Sequence, residues 1–305
     1  MHAVVTGGAG FIGSALVRKL VNSGHEVVVI DNLSSGRMEN IRRFGNDIDF
    51  RCTDIRLKEK MKAALQHADV VFHLAAISSV PASIRDPHGT FDINLAGSLN
   101  VLEAAVLNGV SKVVFTSSAA IYGMAEPPLG ESTTPDPRSP YAVSKLAVES
   151  LMSMYAKEHG VDTASLRLFN VYGPGQDAGS SYAVIPRFIQ AAKHGEPITI
   201  SGNGEQTRDF VYVDDVTEAL LLATGVKSYG RSINIGTGCA ASINELAADI
   251  LRMTGSALPM KYTEPREGDV MRSCADVSLA RDLLGWEAKW DISRGLETTV
   301  KWNGL

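Results

Sequence analysis

At 305 residues the chain exceeds the usual size of a single domain, and 45% apolar with 21% charged residues is ordinary globular composition. The formal net charge of −5 and the lack of any basic run argue against a nucleic-acid binder. No apolar run approaches the roughly 18 residues that span a bilayer, and the opening MHAVVTGGAG has neither a basic leader nor a cleavage site, so a cytoplasmic protein off the membrane is expected.

The first two-thirds alternate short β-branched runs with helical patterns. Ala3–Thr6, Glu26–Asp31, Asp49–Cys52, Val70–Leu74, Lys112–Ser117 and Thr163–Phe169 read as buried parallel strands. Helices are expected at Phe11–Ser23, Leu57–Gln66, Thr90–Asn108 and Pro140–His159. This alternation predicts an α/β fold with a doubly wound parallel sheet. After Asn170 the texture changes to a glycine- and serine-rich loop and shorter strands, which predicts a smaller C-terminal α/β domain that binds substrate. Phe210–Val213 reads as a strand that returns to the main sheet, followed by an Asp-capped helix. The first domain is therefore assigned residues 1–170 with about 209–238, and the second 171–208 with 239–305. Cys52, Cys239 and Cys274 are scattered and in no metal-ligand spacing, so a reducing compartment and no metal site are expected.

The first strand ends in Gly7, Gly10 and Gly13 at the mouth of an amphipathic helix. Glycines there permit the turn, let backbone N–H groups approach a pyrophosphate, and seat the helix close to the sheet. The second strand ends at Asp31, about 20 residues on, where a carboxylate accepts from both adenosine ribose hydroxyls and repels a 2′-phosphate. NAD is thus favoured over NADP, with Asn32, Ser35 and Gly36 at the ribose edge. Asp54, at the end of the third strand, has two compatible readings: a partner for the adenine amino group, with Ile55 over the ring, or a cap for the following segment.

Ser139-Pro140 suits a helix start, which puts Tyr141 in the first turn and Lys145 one turn later on the same face. A phenol titrates near ~10, and an ammonium beside it together with the helix dipole favours the phenolate. A simpler reading leaves Lys145 as a surface ion-pair partner of Glu149. Ser118, at the end of the fifth strand, can bridge the phenol and a substrate hydroxyl, or satisfy backbone groups at a strand end.

Together TGGAGFIGS, DNLSSG, HLAA, TSSAAIYG, SPYAVSK and RLFNVYGPGQ resemble the extended short-chain dehydrogenase/reductase superfamily over nearly the whole chain. Within it the likeness is greatest to UDP-galactose 4-epimerases and related nucleotide-sugar epimerases. The resemblance implies that Tyr141 is the base, that Lys145 holds the nicotinamide ribose, and that Ser118 shares the O4 proton. It implies that Phe11, Ile12, Asp31, Asn32, Leu33, Ser34, Ser35, Gly36, Asp54, Ile55, Leu74, Ala75, Ala76, Ser78, Asn94, Ser117 and Phe169 line NAD. For a UDP-sugar (UDP-glucose or UDP-galactose) it implies contacts from Asn170, Val184, Gln206, Arg208, Arg266, Asp269 and Ser273.

Sugar-nucleotide 4,6-dehydratases carry Asp-Glu where this chain has Ala119-Ala120, and UDP-glucuronate decarboxylases carry Glu at Ala120; alanine replaces neither acid. Arg208 and Arg266 suit a pyrophosphate, or structural pairs with Asp209 and Asp269. The resemblance puts Ser273 where epimerases gate room beside the sugar C2, which implies space for an N-acetyl group. The Ser180–Pro186 stretch and Ser78, which stands where a lysine is usual, leave UDP and dTDP both open. The expected reaction is C4 inversion through a transient 4-keto sugar, with a net dehydrogenase or an NAD-sensing protein as alternatives. Homodimerisation through helices 90–108 and 140–159 is implied by the resemblance alone.

Overall fold

Runs of consecutive apolar residues, each closed by turn chemistry, assemble in the computed structural model into a seven-stranded parallel sheet; residues 1–177, 183–265 and 268–304 are described. The chain runs β1 (His2–Thr6), α1 (Phe11–Asn22), β2 (Glu26–Asp31), α2 (Met38–Ile41), β3 (Ile48–Cys52), α3 (Lys58–Ala64) and β4 (Val70–His73). Next come α4 (Val80–Arg85), α5 (Pro87–Phe91), a π-helical turn (Asp92–Gly97), α6 (Ser98–Leu107) and β5 (Lys112–Ser118). A 3₁₀ turn (Ala119–Tyr122), α7 (Pro140–Glu158), β6 (Asp162–Leu168), β7 (Asn170–Tyr172) and α8 (Val184–His194) follow. Then come β8 (Ile198–Ser201), β9 (Thr207–Tyr212), α9 (Val213–Leu222), β10 (Arg231–Ile235) and β11 (Ala240–Ser242). The last elements are α10 (Ile243–Met253), β12 (Met260–Thr263), α11 (Ser278–Leu284) and α12 (Ile292–Trp302).

The spatial order is β3-β2-β1-β4-β5-β6-β10, so the sheet grows in opposite directions from the β1/β4 junction. Ligands of such sheets bind at the carboxyl ends of the strands beside that junction. Alternation along each strand buries both faces. Ala3, Val5 and Val29 meet Leu16 and Leu20 of α1 and Leu220 of α9 on one side. Val4, Val28 and Phe115 meet Met61 of α3, Leu102 of α6 and Met152 of α7 on the other. Each of the larger side chains among them contributes about 1.5–3 kcal/mol. A further core gathers Tyr172, Phe188, Tyr212, Leu246 and Ile250 from β7, α8, β9 and α10.

Three expectations need correction. The strand at Phe210–Val213 does not return to the main sheet: β9 pairs in parallel with β7 and antiparallel with β11. The seventh place goes to β10, aligned with β6 from Arg231↔Ala164 to Ile235↔Leu168. An apolar run signals a strand but carries no label for its neighbour. The helix after β9 is not Asp-capped, for Tyr212 holds the cap position without a side-chain bond. Asp214 and Asp215 sit in its first turn, where Asp215 Oδ2 accepts from the backbone N–H groups of Lys289 and Trp290, both at 3.0 Å. Finally, the helix expected over 90–108 is interrupted by the π-helical turn. There Gly97 passes so close to Ile55 that a Cβ would lie 2.6 Å from Ile55 Cδ1.

Candidate active site

β1 hands the chain to Gly7 at φ +72°, and a Cβ there would stand 2.7 Å from Ala75 N. At Gly13 it would stand 2.1 Å from Gly7 O, so the turn and the first residues of α1 exist in this form only without side chains. Gly8 is equally constrained, with Val29 Cγ1 2.7 Å from a notional Cβ. Spacing alone does not single out Gly8; packing does. Gly10 is the N-cap of α1 and supplies no side-chain acceptor, which leaves the first-turn N–H groups of Phe11, Ile12 and Gly13 open to a ligand.

Beside this cradle Asp31 ends β2, buried, with Oδ2 accepting from Ala9 N–H at 3.0 Å and Oδ1 from Leu33 N–H at 2.8 Å. A Cβ at Gly36 would lie 2.8 Å from both carboxylate oxygens, so the loop closes on Asp31 because Gly36 lacks one. Asn32, Ser34 and Ser35 are exposed on that loop, and Asn32 Nδ2 donates to Asp54 Oδ2 at 2.8 Å. Arg56 grips the Asp54 carboxylate through Nε at 3.0 Å and Nη2 at 2.9 Å, which pulls its pKa down to about 2. Asp54 closes a turn through Arg56 N–H and does not cap α3, whose cap residue is Leu57. Ile55 is buried beneath Gly97.

The Leu74–Ser78 segment leaves β4 across the junction, with Ser78 exposed and Leu74, Ala75 and Ala76 half-buried. A directed chain of hydrogen bonds holds it from below. Ala75 N–H donates to Thr6 Oγ1 at 3.3 Å, and the Thr6 hydroxyl reaches His73 Nδ1 at 2.7 Å. Ser98 Oγ donates to Asn94 O, so its lone pairs receive His73 Nε2–H at 2.7 Å. Burial, with Lys145 adding repulsion, pushes the His73 pKa down to about 3, and the ring is neutral. Asn94 lies in the π-helical turn. Its Oδ1 accepts Ile77 N–H at 2.7 Å, and its Nδ2 donates to Ile77 O and to Ser144 Oγ, both at 3.0 Å. Asn94 thereby ties the segment after β4 to the first turns of α7.

As the sequence predicts, α7 begins with Ser139 Oγ accepting Ala142 N–H at 3.2 Å and Pro140 at the first helical position. Lys145 is buried rather than a surface ion-pair partner. Its Nζ donates to Thr116 O at 2.7 Å and lies 4.6 Å from the Phe115 ring centre and 5.8 Å from that of Tyr141. Burial brings the Lys145 ammonium down to about 7, with Glu149 opposing the fall. The Tyr141 phenol is raised by burial and drawn back by a hydrogen bond from Ser118. Ser118 Oγ also accepts Ala120 N–H at 3.1 Å, so the serine satisfies a backbone group at the strand end while bonding the phenol. Ser117 points elsewhere, with its hydroxyl donating to Glu149 Oε1 at 2.5 Å.

On the other side Phe169 is buried against Tyr122, while Asn170 is exposed at the start of β7. Val184 opens α8 half-buried. Arg208 donates through Nη2 to Asp269 Oδ1 at 2.6 Å, and burial lowers its pKa while Asp269 opposes that. Asp209 is not the partner of Arg208. It is fully buried and accepts from the backbone N–H groups of Thr237, Gly238 and Ala275. Gln206 and Asp269 line a largely apolar cavity of about 690 Å³ with Ser201, Tyr262 and Met271. Ser273 is buried with its N–H on Thr207 O at 3.2 Å, and Arg266 lies outside the described residues.

Residues 3–236 match the model of the NAD dependent epimerase/dehydratase family. The chain belongs to that family. It is an NAD-dependent enzyme, and the glycine cradle, the open N–H groups of α1 and the buried Asp31 carboxylate fit the dinucleotide. A protein of Mycolicibacterium smegmatis named UDP-glucose 4-epimerase is 39% identical, over 99% of this chain and 98% of that one. The UDP-glucose 4-epimerase of Thermotoga maritima, solved with UDP-glucose, superposes with a TM-score of 0.95 at 40% identity, over 100% of this chain and 99% of that one. The UDP-N-acetylglucosamine 4-epimerase of Methanobrevibacter ruminantium, solved with UDP-N-acetylmuramic acid, gives 0.95 at 39% identity, over 99% and 97%.

Proposed function

We propose that this enzyme is a nucleotide-sugar 4-epimerase that interconverts UDP-glucose and UDP-galactose. The observation that carries the reading is the meeting of Tyr141, Lys145 and Ser118 at the carboxyl end of β5, with Ala119 and Ala120 where an eliminating or decarboxylating relative has acids. The near full-length likeness to UDP-glucose 4-epimerases supports it.

NAD, when bound, supplies the acceptor and later the donor of the C4 hydride. Gly7, Gly10 and Gly13 hold its pyrophosphate, Asp31 its adenosine ribose, and Lys145 its nicotinamide ribose. The Tyr141 phenolate, stabilised by the nearby ammonium of Lys145, takes the O4 proton through Ser118 and becomes the neutral phenol, which returns that proton when the hydride returns. Arg208, aligned by Asp269, holds the substrate pyrophosphate, with Arg266 as its expected companion. The sugar itself is held loosely, since both of its faces must be presented. Ser273 is small, which favours N-acetylhexosamines as additional substrates, in keeping with the UDP-N-acetylglucosamine 4-epimerase relative. Exposed Leu107 on α6 and Val143 and Met154 on α7 give these helices an apolar surface suited to pairing two copies.

Purified enzyme incubated with UDP-glucose, UDP-galactose, UDP-N-acetylglucosamine and dTDP-glucose is expected to equilibrate the first two C4 epimers by NMR without accumulating reduced nicotinamide. Tyr141→Phe should lower that rate by about 10³-fold. Net accumulation of NADH, or an unimpaired Tyr141→Phe enzyme, would overturn the proposal.

A further inference from the structure

Behind the reacting cluster lies a buried polar group that the reaction above does not use. Glu149 sits one turn past Lys145 on α7, and both are buried. Its carboxylate is fully engaged. Oε1 accepts from Ser117 Oγ at 2.5 Å and Arg167 Nε at 3.0 Å. Oε2 accepts from Arg167 Nη2 and Ser232 Oγ, both at 2.8 Å. Arg167 also donates through Nη1 to Tyr122 Oη at 2.9 Å, and Tyr122 donates to Asn234 Oδ1 at 2.6 Å. One carboxylate therefore joins α7 to the last residues of β5, to β6 and to β10.

We propose that Glu149, clasped by Arg167, is a positioning residue for the reaction at Tyr141: it locks α7 onto the end of β5 and supplies the negative charge one turn behind Lys145. The inference rests on the reading of Tyr141 and Lys145 given above. Its physical basis is the charge count. Two buried cations, Lys145 and Arg167, share a single buried carboxylate, and removing it leaves both in a low-dielectric interior. Arg167 keeps its proton, so the destabilisation falls on the Lys145 ammonium, whose pKa burial already lowers. The ionisable groups around Lys145 are Tyr141 and Glu149 on its own helix, His73 on β4 and Arg167 on β6, with Tyr122 and Glu131 beyond Arg167. Of these, Glu149 is the group that supports the ammonium against burial. Once Lys145 is neutral, Tyr141 loses its nearby cation and ionises at higher pH.

The test uses Glu149→Gln, Glu149→Asp and the pair Glu149→Gln with Arg167→Met, which leaves no unmatched guanidinium should the single variant not fold. Each is read by thermal melting, by the pH profile of UDP-hexose interconversion, and by the near-ultraviolet phenolate absorbance that Tyr141→Phe removes. Glu149→Gln should lower kcat by about 10- to 100-fold with KM within about twofold. The alkaline limb should move about one unit down, the Tyr141 titration should move up, and Glu149→Asp should restore both. A folded Glu149→Gln or paired variant with unmoved limb and unmoved phenolate titration overturns the proposal. The phenolate titration needs no sugar nucleotide. If wild-type enzyme interconverts no UDP-hexose yet that titration still shifts, the substrate reading fails and the positioning role stands.

Discussion

The glycine turn at the β1/β4 junction and the Arg208–Asp269 pair beside the cavity are built on opposite principles. At the junction the backbone itself forms the surface. Gly7 approaches Ala75, Gly13 approaches Gly7 and Gly36 approaches Asp31, all closer than any side chain permits. In the Arg208–Asp269 pair a charged side chain is aimed by another, and the loop that carries Asp269 lies 61 residues from Arg208. A surface made of backbone tolerates no added atom. A surface made of a paired guanidinium depends on its charge and on the planar fork that carries it.

That contrast can be broken by substitution. Gly13→Ala introduces a Cβ into Gly7 O, and overpacking of about 1–3 kcal/mol should weaken NAD retention about 10- to 100-fold, read by titration with NADH fluorescence. Unchanged retention would mean that the cradle yields more easily than its geometry implies. Arg208→Met should raise KM for the UDP-sugar by about tenfold with kcat nearly unchanged, since the contact is made equally before and during reaction. A fall in kcat at constant KM would instead place Arg208 in the chemical step.

A change of pH tests the junction further. His73 is buried neutral at about 3 against an ordinary 6.5, so only the unfolded chain takes up its proton between those values. Stability is whole above about 6.5 and falls as pH drops toward 3, by about 1.4 kcal/mol per unit. His73→Gln should flatten that slope in denaturation midpoints measured across the window. A slope unchanged by the substitution would assign the acid sensitivity to other groups.

Much of this site could be read along the chain, and the exceptions have a pattern. The glycine spacing, the Asp31 strand end and the Ser139-Pro140 helix start are short-range signals, each satisfied within a few residues of itself. Gly8, Asn94 and Glu149 are different. Gly8 is demanded by Val29 on the neighbouring strand. Asn94 spends its amide on the segment after β4 and on Ser144 of α7. The i+4 spacing of Lys145 and Glu149 suggested a surface pair, yet the carboxylate goes to Arg167, 18 residues away. His73 was visible within HLAA, and a histidine in an otherwise apolar strand was the one signal that a buried polar chain lay beneath the junction.

By itself, the order of residues determined the alternation of strand and helix, the cofactor turn and the placement of Tyr141 and Lys145 on one helical face, because periodicity and turn chemistry act over a handful of bonds. The tertiary structure alone decided that β10 rather than β9 completes the main sheet, that Arg208 turns to Asp269 rather than Asp209, and that Glu149 serves two cations. Those choices depend on which distant groups share a low-dielectric interior, where every charge and every backbone edge must find its partner in space.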